Sequence, residues 1–256
     1  MWHFIADPHF GHSNIIKYCK RPFLSEEEMN VCEMINHGTI PHTDFKVSKS
    51  SVDLMDATII HNINAVVEKN DNLVILGDFT CNSDKKEIKD YRERIKCKNV
   101  YLILGNHDER KECSDFFTAC YENYLFNING QNIFTSHYPA RSWNKANRGS
   151  WMLYGHVHNG FYNEDHGMLS RYDEKVYTEG FSSVLKRYGI KNQKIVEDLL
   201  AVSSSTKGID LTLDVGVDHI RKNVPFGTPW NMNDIRKYMQ DKLTSWSARK
   251  AMYKML

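Results

Sequence analysis

The 256-residue chain contains six cysteines but no C-x-x-C pair, so the spacing that frames a dithiol redox motif is missing. No apolar run approaches the roughly 18 residues of a membrane-spanning helix. There is no internal repeat, no low-complexity tract, and no charged leader with a cleavage site ahead of the first strand-like segment. With 33 Lys and Arg against 32 Asp and Glu, the chain has neither a polybasic arm nor a charged disordered tail. These absences point to a protein of a reducing compartment, the cytoplasm, with no membrane partner. The length allows a full core, in one α/β domain with insertions or in two small domains.

What is present is a set of short apolar runs that all end alike. "HFIADPH" (3–9), "NLVILGD" (72–78), "VYLILGNHD" (100–108), "NIFTSHYP" (132–139) and "WMLYGHVH" (151–158) each terminate in polar or metal-binding residues. Helix-like patterns lie between them, over 53–69 with Leu54, Ile59, Ile63, Val66 and Val67 apolar, and over 84–96 with Ile88, Tyr91 and Ile95. Strands alternating with helices predict a layered α/β fold with a sheet buried on both faces, and ligands in such folds bind at the carboxyl ends of strands. Gly77, Gly105 and Gly155 stand just before the polar residues, where the chain turns sharply and backbone comes close to a ligand.

The strand ends collect Asp7, His9, Asp78, Asn106, His107, Asp108, His137, His156 and His158. Any one histidine reads as a hydrogen-bonded core or surface residue. Five of the twelve, joined by aspartates and an asparagine at successive strand ends, read as a metal centre. Imidazole, carboxylate and amide oxygen without thiolate suit Mn, Fe, Zn or Ni. The set is large enough for two ions about 3.5 to 4 Å apart, which clamp the attacking and leaving oxygens of an in-line displacement.

In chain order, "DPHFGH", "GDFT", "GNHD", "SHYPARSW" and "GHVH" resemble the five motifs of calcineurin-like metallophosphoesterases, D-x-H, G-D, G-N-H-D/E, H and G-H-x-H. The likeness is strongest to a small bacterial and phage branch that also carries a "KRPF"-like segment and a late "DVGVD" strand, here Asp214 to Asp218. It covers residues 1–24, 53–160 and 209 to about 240.

The resemblance implies a four-layer αββα sandwich with the metal site at the C-terminal ends of strands. It implies a dinuclear phosphoesterase that hydrolyses a phosphate mono- or diester by in-line attack of a bridging hydroxide. Two divalent ions are expected, manganese first, with iron, zinc, nickel or magnesium as alternatives. Asp7, His9, Asp78 and His158 would ligate one ion, Asp78, Asn106, His137 and His156 the other, with Asp78 bridging. His107 would protonate the leaving oxygen, and Asp108 would orient a neighbour or N-cap the helix that follows.

Phosphoprotein phosphatases carry an Asp and an Arg where "GDFTCNSD" has Cys81 and Asn82, which argues against that substrate class. Phosphate contacts would then come from His12, Arg21 and Arg141, unless the arginines are surface residues and His12 a helix cap. The alternatives to a small-molecule phosphoesterase are a nuclease acting on DNA or RNA and a non-catalytic binding or assembly protein on the same scaffold.

The chain reads as a single domain over 1–256 with insertions at about 25–52 and 161–208. The first carries a helix with Ser25 as N-cap and Glu28 completing a capping box, then a polar loop with Gly38 and Pro41. The second leaves from the His156/His158 loop, where it would wall the centre or decorate the periphery. A basic amphipathic helix is expected near the C-terminal end, packed on a sheet.

Overall fold

A computed structural model of the chain describes residues 1–37, 39, 45–140, 142–158 and 211–253. The second expected insertion, Arg141, Gly38 and Pro41 lie outside the described residues.

The strands in chain order are β1 (Trp2–Ile5), β2 (Asn72–Leu76), β3 (Asn99–Ile103), β4 (Ala119–Tyr121), β5 (Asn123–Ile128), β6 (Gln131–Ser136), β7 (Trp151–Tyr154), β8 (Thr212–Asp214) and β9 (Trp230–Asn231). They form a five-stranded sheet of order β4-β3-β2-β1-β9 and a four-stranded sheet of order β5-β6-β7-β8. In the first, β1 to β4 run parallel and β9 closes the edge antiparallel. In the second, β6, β7 and β8 run parallel and β5 pairs with β6 as a hairpin.

Strand periodicity divides the side chains between two cores. Ile5, Leu73, Ile75, Val100 and Leu102 join a cluster under the helices, while their neighbours Phe4, Ala6, Val74, Leu76 and Ile103 join a cluster with the second sheet. A sheet buried on both faces reads as a continuous apolar run, which is why β1 to β3 stand out in the sequence.

The helices are α1 (Ser13–Tyr18), α2 (Glu26–Asn36), α3 (Lys49–Val66), α4 (Lys85–Arg94), the short α5 (Arg110–Cys113) and α6 (Met232–Tyr253). Helix α1 supplies Ile15 and Ile16 to the first cluster, α3 supplies Met55, Ile59 and Ile63, and α4 supplies Ile88. Helix α6 supplies Met232, Ile235 and Met239 to the second. The result is mixed α/β, two sheets flanked by helices, the sandwich expected. Among the described residues no helix is long and apolar enough to cross a membrane.

Three details differ from the sequence reading. Helix α3 begins at Lys49 and buries Val52, Met55, Ile59, Ile60 and Ile63, leaving the expected core residues Leu54 and Val66 exposed. Strand β8 ends at Asp214, so "DVGVD" is a loop, touching the first sheet through a single bridge between Ala6 and Gly216. Strands β4, β5 and β9 carry no continuous apolar run; β5 alternates Phe126 and Ile128 inward with Asn127 outward.

The capping box at Ser25 is present, and Glu28 does more than close it. Its carboxylate accepts hydrogen bonds from the Ser25 and Ser48 N–H groups at 2.8 and 2.6 Å, and from the Ser51 hydroxyl. The first insertion is thereby tied to the N-terminus of α3. Burial pushes the Glu28 pKa up, but these donors outweigh it and bring it from 4.5 down to about 2.

A folded pKa below the unfolded one gives stability that is complete above the unfolded value and lost as pH falls through the folded one. Glu28→Gln is therefore expected to cost about 2 kcal/mol at neutral pH, the worth of hydrogen bonds to a charged group. Urea unfolding should show the gap from wild type closing as pH falls from 4.5 toward about 2. A gap that persists undiminished at the acid end would mean that the carboxylate charge does not hold α2 to α3.

Candidate metal centre

The loops that follow the parallel strands are bonded to one another. Asp7 N–H donates to Gly77 O at 3.2 Å, His9 N–H to Asp78 O at 3.0 Å, and Gly155 N–H to His137 O at 3.0 Å. Space here is short enough to dictate glycine. A Cβ on Gly155 would stand 2.6 Å from Asp7 Oδ2, and one on Gly77, whose φ is +89°, would enter the His137 ring. Asp7, His9, Asp78, His156 and His158 all have φ between 48° and 70°, half of the ten non-glycine residues at positive φ among the described residues. Such backbone costs on the order of 1 to 3 kcal/mol per residue and collects where a site needs particular side chains aimed inward.

The expected ligands come together in two main groups. Donor atoms of Asp7, His9 and His158 lie within 4.8 Å of one another, as do those of Asp78, His137 and His156. Asp78 Oδ2 stands between the groups, 3.3 Å from His9 Nε2 and 3.5 Å from His137 Nε2. Asn106 Oδ1 is 3.2 Å from His137 Nε2.

Three imidazoles are held by their Nδ1 atoms. His137 Nδ1–H donates to Leu76 O at 2.8 Å, His107 Nδ1–H to Cys81 O at 2.7 Å, and His158 Nδ1–H to Asp218 Oδ2 at 2.7 Å. A carbonyl or carboxylate can only accept, so the proton sits on Nδ1 and Nε2 faces the centre. The Asp7 carboxylate takes the His156 N–H on both oxygens at 3.0 Å.

Charge states follow from these contacts. Burial brings the His9 pKa down to about 3 in spite of Asp78, and lowers that of His156 as well. Burial would raise Asp78, but the His9 and His137 imidazoles beside it and the His107 N–H hold it well below the usual carboxylate range. Burial pushes Asp7 up to about 7 against the pull of His158 and His137. His158 would be pulled down by burial, yet Asp218, Cys19 and Asp7 keep it well above an ordinary histidine.

Asp108 orients rather than caps. Its carboxylate accepts the N–H groups of Asp78, Phe79 and Gly105 at 2.7, 3.0 and 2.9 Å, joining the loops after β2 and β3. Helix α5 begins beyond it, with Glu109 in the N-cap position. His12 occupies the N-cap position of α1 without capping it; its ring lies 5.3 Å from that of His9 and 5.9 Å from that of His107.

Arg21, expected to contact phosphate, has no donor left to do so. Nε and Nη2 grip Asp218 at 2.9 and 2.8 Å, and the remaining N–H groups go to Pro8 O, Asp7 O and the Met55 sulfur. The guanidinium is wholly buried and clamps the β1 loop to the loop after β8. Asp218, the last residue of "DVGVD", has a role that the sequence does not disclose: it carries His158 on one side and Arg21 on the other. Cys19 also comes within reach of His158 and Asp218, but the Asp218 oxygens are already committed to Arg21 and His158.

The fold and the cluster define an α/β protein with histidine and carboxylate groups at its strand ends that could hold a metal ion. The family model of the calcineurin-like phosphoesterase superfamily domain matches residues 54–171. The uncharacterized protein MJ1445 of Methanocaldococcus jannaschii is 33% identical over 156 residues, 60% of this chain and 67% of the relative. The crystal structure of a protein of unknown function, AQ665 from Aquifex aeolicus, aligns with a TM-score of 0.52 at 19% identity, over 93% of this chain and 98% of that one, and shares the fold. A novel archaeal phosphodiesterase aligns over 60% of this chain and 72% of its own at 14% identity, with a TM-score of 0.31. The chain belongs to the calcineurin-like phosphoesterase superfamily, a family of metal-dependent phosphoester hydrolases that bind divalent ions.

Proposed function

We propose that the chain is a two-ion phosphoesterase acting on a phosphate mono- or diester, with manganese as the first ion to load. Asp7, His9 and His158 would hold one ion, Asn106, His137 and His156 the other, and Asp78 both. The observation that carries this reading is Asp78 Oδ2, within 3.5 Å of one imidazole nitrogen from each group. A carboxylate is the side chain able to span two cations.

The donor set fits such ions on independent grounds. His9 Nε2 is buried and has no well-formed hydrogen bond, a costly state that a cation would relieve. Burial holds the Asp7 pKa at about 7 even against His158 and His137, and a cation at its carboxylate would keep it ionised. When bound, divalent ions supply Lewis acidity at a phosphoryl oxygen and bring the pKa of water near neutrality.

The chain's own residues do the rest. Leu76 O keeps the His137 proton on Nδ1, so its Nε2 offers a lone pair; Asp218 holds His158 by Nδ1 in the same way, so that a cation would displace only its Nε2 proton. His107, held by Cys81 O, keeps Nε2 free to carry the proton that goes to the leaving oxygen. His12, its pKa brought to about 4 by burial and by His107, is neutral and would give a phosphoryl oxygen a hydrogen bond rather than a charge.

Elemental analysis of the purified protein should find two equivalents of transition metal per chain, and loading a stripped sample with manganese should restore hydrolysis of nitrophenyl esters. A protein that takes up no metal and hydrolyses nothing would instead be the binding or assembly protein.

A further inference from the structure

We propose that Tyr138 is a platform on which a planar aromatic group of the substrate stacks, so that the site takes phosphoesters carrying a nucleobase-like ring in preference to alkyl ones. The proposal rests on the phosphoesterase reading and names the substrate class of that same site.

Tyr138 is 48% exposed, yet its ring centroid lies 4.6 Å from that of His156 and 5.0 Å from that of His137, edge to face with both. An aromatic ring left open to water is ordinary on a surface. One standing against two candidate ligands is within reach of whatever a phosphoryl group at the centre carries. Among the described residues no hydrogen bond is made by its hydroxyl.

The ring is also held in place. His137, immediately before it, is fixed by its imidazole on Leu76 O and by its own carbonyl under Gly155 N–H. Pro139, immediately after it, confines the Tyr138 backbone to extended conformations. A side chain with two rotatable bonds on so fixed a backbone loses little entropy when a ligand packs on it. Arg21 offers no charge to such a ligand, since it has spent all its donors. Stacking on a tyrosine is available to any flat ring, because every base has a π-face, and a glycerol or methyl arm cannot use it.

The test uses the manganese-loaded full chain and matched pairs: adenosine 5′-monophosphate against glycerol 3-phosphate, and an adenine dinucleotide against a glycerol phosphodiester. Tyr138→Leu should lower kcat/KM on the adenine members by between about 5- and 100-fold, the usual span for one stacked base, and on the glycerol members by less than about 2-fold. Tyr138→Phe should behave as wild type. Binding of 2-aminopurine nucleotide, read by quenching of its fluorescence on stacking, should be strong in wild type and Tyr138→Phe and lost in Tyr138→Leu. Equal losses on both members of a pair, a loss in Tyr138→Phe that points to the hydroxyl, or unchanged quenching in Tyr138→Leu would each overturn the proposal. Failure of the phosphoesterase reading looks different: wild type would then hydrolyse neither member of either pair, while the quenching experiment would still report on the platform.

Discussion

Asp78→Asn is expected to strip the centre of metal and abolish hydrolysis while leaving the fold in place. Asp78 is 2% exposed, and two demands meet on it. Oδ1 accepts the His107 N–H at 3.0 Å, a bond that an amide oxygen can keep. Oδ2 faces His9 and His137, where a neutral amide removes the charge that two cations would share. The structural bond survives and the electrostatic one does not, so the metal-free variant should still fold cooperatively, with its unfolding midpoint lowered by the loss of a carboxylate held well below its usual pKa. Metal content and turnover should both fall, turnover by more than about 10²-fold, since even residues that only support a ligand are worth about that much. Full occupancy and wild-type turnover in the variant would end the assignment of a shared carboxylate.

His107→Ala should separate substrates by leaving group. With Nδ1 fixed on Cys81 O, the imidazole has one nitrogen for a proton, and its ring sits 5.0 Å from that of His9. Loss of a positioned acid slows reactions that need it by about 10² to 10⁴. An alkyl phosphoester, whose alkoxide leaves only when protonated, should show this whole loss; a nitrophenyl ester, whose phenolate leaves unaided, should show almost none. His107 also comes within 4.8 Å of His9 and Asp78 as a donor. If both substrates slow equally and metal content drops, His107 is a ligand and the acid role is refuted.

The parts of the centre legible in the sequence were those carried by strands β1, β2, β3, β6 and β7. Such strands announce themselves as apolar runs, and the polar residue that ends each run is the one the fold turns toward its neighbours. Strand β5 was not legible, because alternation over six residues is weak, yet a signal was there: Asn129 and Gly130, both at positive φ, form the tight turn that joins it to β6. Arg21 shows the other limit. Its chemistry suits phosphate equally well, and only the fold reveals that a carboxylate 197 residues away has taken its donors. Asp108 was readable as an orienting group or as a cap, and the choice depended on where α5 begins.

The bond between Arg21 and Asp218 also sets a schedule. A ribosome adds about 5 to 20 residues per second, so Asp218 is made roughly 10 to 40 s after Arg21. Every candidate ligand, from Asp7 to His158, has by then been translated. A nascent or stalled chain that lacks Asp218 therefore carries all the donor atoms, but leaves His158 unoriented and the β1 loop unclamped. Completion of the centre becomes an event that waits for Asp218, 197 residues after Arg21.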